Sequence, residues 1–75
     1  MAARNNIHVT ANGGKWEVKL AGMDNPLGVH PTQAYAISHG KELASGLGTE
    51  LRIHRTNGQL AERIDYEKVP PSPYG

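Results

Sequence analysis

Four histidines, His8, His30, His39 and His54, have the widest chemical reach of any residues in this 75-residue chain. A neutral imidazole ligates metals, and its proton exchanges near physiological pH. A zinc site, however, needs three or four ligands within about 2.0–2.3 Å of the ion. The histidines show neither the H-x-H nor the H-E-x-x-H spacing that places two ligands side by side, and the chain has no cysteine to complete a set. Neither a metal ligand set nor a cofactor is therefore expected. His8 stands between Ile7 and Val9, and His54 follows Ile53. In extended segments both imidazoles would face away from the apolar side chains. They would meet only if their two strands were neighbours.

The same polar parity carries Lys19 and Arg52, with Arg63 close by. A strand surface lined by cations contacts phosphates or an acidic partner, so His8, Lys19, Arg52, His54 and Arg63 form the candidate partner- or nucleic-acid-binding set. Glu17 and Glu50 interrupt it. Trp16 falls in phase with Val18 and Leu20, which assigns it to the core rather than to base stacking. Eight basic and seven acidic side chains give a net charge of +1, far from the basic excess of a dedicated nucleic-acid binder. Catalysis finds less support. Ser38 and Ser45 lack a nucleophile elbow, the carboxylates Glu42, Glu50, Glu62, Asp65 and Glu67 are scattered, and Gly13-Gly14 and Gly46-Leu47-Gly48 lack the lysine of a phosphate loop. No catalytic residue is assigned.

The elements that must position these groups follow from periodicity. Ile7 and Val9 alternate with His8 and Thr10, and Trp16, Val18 and Leu20 alternate with Lys15, Glu17 and Lys19. Asn12-Gly13-Gly14 between them supplies a tight turn, so residues 7–20 read as a β-hairpin. Residues 21–26 read as a loop, and 27–30 as a short third strand. Thr32 is placed to cap a helix from Gln33 to about Leu47, whose apolar stripe is Ala36, Ile37, Gly40, Leu43, Ala44 and Leu47. Gly48 suits the left-handed residue that ends it. Leu51 and Ile53 begin a second hairpin, with Asn57-Gly58 as a two-residue turn and Leu60 and Ile64 on the return strand. Glu62 shares the parity of those two residues, which marks the return strand as short, bulged or at an edge. The expected core is Ile7, Val9, Trp16, Val18, Leu20, Ala36, Ile37, Leu43, Ala44, Leu51, Ile53, Leu60 and Ile64.

The fold class is α+β: an antiparallel sheet of four to five strands with one helix packed on one face, in the order β-β-(β)-α-β-β. Residues 1–68 form a single domain and residues 69–75, with three prolines, a flexible tail.

His8-Val9, Gly13-Gly14, Trp16, Val18-Lys19, His30, Thr32-Gln33, Ala36-Ile37, Glu42-Leu43-Ala44, Gly48, Glu50-Leu51, Ile53-His54, Gly58 and Tyr66 follow one another over most of the chain. In this set and order the chain resembles the small bacterial proteins grouped as domain-of-unknown-function family 2188. It departs from that pattern at Tyr35, often acidic there, at Gly40, usually larger, and at Asn57, where aspartate is frequent. The resemblance implies the same element order and a bacterial or bacteriophage origin. It brings no activity, because none is established for the family.

By elimination, the residues point first to a non-catalytic interaction module, a small regulator or phage-encoded inhibitor that binds a bacterial protein. The alternative is a nucleic-acid-binding accessory protein that uses the outer sheet face. Residues 1–20 carry Arg4, Lys15, Glu17 and Lys19 and no apolar run long enough for a leader or membrane helix. A cytoplasmic location without membrane contact is expected. A chain this short builds a marginal core, and a homodimer is the expected way to add buried area. Light scattering at high protein concentration checks this: dimer mass supports it, and an 8.1 kDa monomer alone overturns it.

Overall fold

A computed structural model describes residues 6–66. Five strands and one helix follow in the order β1 (Ile7–Asn12), β2 (Lys15–Leu20), β3 (Gly28–His30), α1 (Gln33–Leu47), β4 (Glu50–His54) and β5 (Leu60–Asp65). The strands form one sheet in the order β3-β2-β1-β4-β5. Three of its four pairings are antiparallel, as the sequence leads one to expect. The central pairing, β1 with β4, is parallel, with Ile7 opposite Leu51 and Val9 opposite Ile53. The cause is the helix. Fifteen residues rise by about 22 Å, so a helix running back across the sheet returns the chain to the end where β3 began. The next strand must then run the same way as β3 and β1. Residues 69–75, expected to be a flexible tail, lie outside the described residues.

Local chemistry explains the boundaries. Gly13 and Gly14 both take positive φ, 59° and 83°, and close β1 onto β2 in a two-residue turn. Thr32 caps α1 by accepting a hydrogen bond from the Tyr35 amide at 3.3 Å. Gly48, at φ 68°, ends the helix, and the Thr49 amide bonds back to Ala44 O at 3.0 Å. The second hairpin differs from expectation. Only Gly58 of Asn57-Gly58 has positive φ, and Arg55 N donates to Gln59 O at 2.7 Å, so the loop is three residues, Thr56 to Gly58.

The core is Ile7, Val9, Val18, Ala36, Ala44, Leu51 and Ile53, all buried between the helix and one face of the sheet. Trp16, Leu20, Ile37, Leu43, Ile64 and Tyr66 pack around it, partly exposed. Trp16 is thus a marginal anchor rather than the centre: its register partner is His30, on the three-residue edge strand. Leu60, expected in the core, is 48% exposed. A bulge between Ile53 and His54 shifts the register, so that Ile53 faces Glu62 but His54 faces Leu60. One extra residue moves Leu60 to the opposite face of the sheet.

Gly40 is buried where α1 crosses the sheet; a Cβ there would stand 2.8 Å from Leu51 Cδ1 and 3.1 Å from Val9 Cγ2. Gly46, on the same helix, has nothing within 4 Å of such an atom. Alanine ordinarily favours a helix interior by about 1 kcal/mol over glycine. Gly46→Ala should therefore stabilise the fold by up to about 1 kcal/mol, whereas overpacking at Gly40→Ala should destabilise it by about 1 kcal/mol or more. Urea denaturation of both variants checks the opposite signs.

Candidate functional site

The helix covers one face of the sheet. Alternation places His8, Thr10, Lys19, Arg52 and His54 on the other face, with Arg63 opposite Arg52 on β5. Because β1 and β4 are neighbours, His8 pairs with Lys19 on one side and Arg52 on the other. The five candidate residues of the sequence thus share one surface, but they divide into two groups.

The first group is built on the imidazoles. His8 Nδ1 and His54 Nε2 are 3.0 Å apart, and His54 Nδ1 is 3.3 Å from the Gly58 carbonyl. A carbonyl oxygen only accepts, so His54 Nδ1 carries the proton and donates it. His54 Nε2 then accepts from His8 Nδ1. The ring centroids are 5.3 Å apart with planes at 21°, the nitrogen separation plus about one ring radius at each end. The rings meet edge to edge along a straight N–H···N line. Two lone pairs converging on a shared metal would have a different geometry. The second histidine pair is separate: His30 Nε2 and His39 Nδ1 lie 3.0 Å apart, on β3 and the helix. Gly28 makes room for it, since a Cβ there would be 2.7 Å from the His39 ring. This pair ties the helix to the sheet edge. No group of three or more potential metal-ligating side chains occurs among the described residues.

Arg52 and Arg63 form the second group, and both are engaged. The Arg52 Nε–H donates to Glu50 Oε1, and Arg63 Nε lies 3.9 Å from Glu50 Oε2. One largely covered carboxylate is thereby shared by two of the cations that the sequence presents as a binding set, and offsets the charge of one of them. Glu17 is held by the Asn12 amide at 2.8 Å.

A groove of about 450 Å³ opens beside His8 and His54. It also takes in Lys19 and three side chains that the pattern reading passes over: Thr10, Arg55 and Thr56. The signal for Arg55 was its place directly after His54, but a residue just past the end of β4 and beside its bulge has no strand parity to assign it a face. Leu20, Ala21 and Met23 line the groove at the end of β2, and none of its lining residues among those described is acidic. The environment depresses the His8 pKa below the usual imidazole range, first through burial, then through His54 and Arg52, with Glu50 opposing.

A family model described as an uncharacterized protein conserved in bacteria, domain of unknown function 2188, matches residues 7–66. No curated protein and no solved structure matches the chain.

The pKa direction at His8 sets a pH dependence. The unfolded chain binds a proton near pH 6.5 while folded His8 still resists it. Its contribution is therefore lost as pH falls from about 6.5 towards the depressed folded value. Thermal unfolding midpoints of the wild type and His8→Asn, measured from pH 7.5 to 5, should show the steeper acid loss in the wild type. Parallel curves would refute the depressed pKa.

Proposed function

Because the chain belongs to the uncharacterised bacterial family of domain of unknown function 2188, we propose from its site geometry that it is a non-catalytic interaction module, a small regulator that binds a bacterial protein through the helix-free face of its sheet. The single observation that carries this reading is the one-sided construction of the domain. All seven buried apolar core residues lie between helix and sheet, while the second face presents organised polar groups. Apolar side chains stand at the margins of that face: Val29 on β3, opposite Glu17, and Leu60 on β5, opposite His54, both about half exposed. Apolar contact area beside fixed polar groups is the composition of a recognition surface.

The non-catalytic part of the reading rests on His54. Both of its ring nitrogens are engaged, one with Gly58 O and one with His8, so it serves as a tie between strands and not as a poised base. Among the described residues no carboxylate lines the groove to orient an imidazole.

One observation favours the second reading, a nucleic-acid-binding accessory protein: Lys19 and Arg55 line a groove with no acidic residue among its described lining. Against it, Glu50 engages Arg52 and Arg63, and no Trp or Tyr among the described residues stands at an outer strand position, where the only rings are His8 and His54, tied to each other.

Affinity capture from bacterial lysate, with and without nuclease, separates the two. A protein partner retained after nuclease and high salt, and lost on Lys19→Glu with His54→Glu, supports the interaction module. Recovered nucleic acid whose binding falls steeply with salt supports the alternative.

A further inference from the structure

We propose that the groove between β1, the end of β2 and the β4–β5 turn binds the phosphomonoester group of a small organic molecule. Its polar side is made by Lys19 and Arg55, the hydroxyls of Thr10 and Thr56, and the His8–His54 pair. Lysine and arginine bring charge-assisted donors, and threonine hydroxyls bring neutral ones, the combination that a phosphate dianion with many acceptor positions calls for. The two outer-face carboxylates nearest the pattern, Glu17 and Glu50, are held by Asn12 and by Arg52 and Arg63. Neither lines the groove.

Size and surroundings decide what carries the phosphate. At about 450 Å³ the groove has the dimensions of a small-molecule site. Leu20, Ala21 and Met23 form an apolar wall beside the cations, suited to a ring or hydrocarbon part of the same ligand. A nucleic-acid strand would need further cations at successive phosphates. The next two on this face, Arg52 and Arg63, share the single carboxylate of Glu50, which halves their net charge and weakens the basic track beyond the groove. This inference goes beyond the interaction module and stands apart from it. A captured protein with no phosphate binding would leave that reading intact and overturn this one.

The test uses phenyl phosphate, which joins one phosphomonoester to one apolar ring, titrated into the full chain by calorimetry and followed by two-dimensional NMR. Phenol and inorganic phosphate serve as the half-ligands, and a short single-stranded DNA as the polymer. Phenyl phosphate should bind more tightly than either half, with resonance shifts at Thr10, Lys19 and Arg55. Lys19→Gln and Arg55→Gln should each weaken it about tenfold or more, the loss of one charge-assisted contact. Arg63→Gln should leave it unchanged, and retained NMR dispersion verifies that each variant folds. Failure of phenyl phosphate to bind at millimolar concentration overturns the proposal. So does equal weakening by Arg63→Gln, or DNA binding that phenyl phosphate cannot displace.

Discussion

The approach of the helix to the sheet at Gly40 is the constraint on which the rest of this structure depends. With no side chain at that position, α1 lies directly against Leu51 of β4 and Val9 of β1. A glycine in mid-helix weakens the isolated helix by about 1 kcal/mol, and the close contact offsets that loss by burying Ile7, Val9, Leu51 and Ile53. The helix sits over the two strands whose parallel pairing it creates. That pairing in turn brings His8 and His54 together on the far face. The contact on one side of the sheet and the imidazole pair on the other are two consequences of a single crossover.

The closing edges are secured by polar groups that the hydrophobic pattern does not reveal. Asn6 Oδ1 accepts from the buried Thr49 hydroxyl at 2.8 Å and from the Glu50 amide at 3.4 Å, and its own carbonyl accepts from Ala21 N at 2.8 Å. One residue thereby joins the start of β1 to the start of β4 through its side chain and to the end of β2 through its backbone. A buried hydroxyl left without a partner would be costly, and the arrangement satisfies it. At the opposite edge, the His30–His39 pair holds the helix to β3. The outer face is organised by the same logic, with charge distributed rather than accumulated. Glu50 is shared between Arg52 and Arg63, and burial holds the His8 pKa below the usual imidazole range.

The fold was legible to the extent that local rules governed it. The helix from Gln33 to Leu47, its Thr32 and Gly48 ends, and strands at 7–12, 15–20 and 50–54 follow from periodicity and capping. The polar Glu62 in phase with Leu60 and Ile64 points to a bulged or edge strand, and β5 is both, but parity does not say where the extra residue lies, so it places Leu60 on the wrong face. The loop after His54 was misread for a related reason: Asn57-Gly58 suits a two-residue turn, but the register of the bulged strand selects a three-residue one. Of the candidate site, the shared face of His8, Lys19, Arg52, His54 and Arg63 was legible from alternation. Its division was not, because Glu50 reaches Arg63 across a strand pairing, and Arg55 joins the groove from just past the end of β4.

By itself, the sequence determined which segments are extended, which is helical, and which side chains each segment turns inwards wherever no bulge intervenes. Those properties depend on residues within one or two turns of each other, where backbone sterics and side-chain period suffice. Only the tertiary structure decided that β4 enters beside β1 and parallel to it, that the four histidines form two pairs on opposite faces, and which cations stay available. Each of those outcomes joins residues far apart in the chain, His8 and His54 above all, and turns on how the helix seats against the sheet.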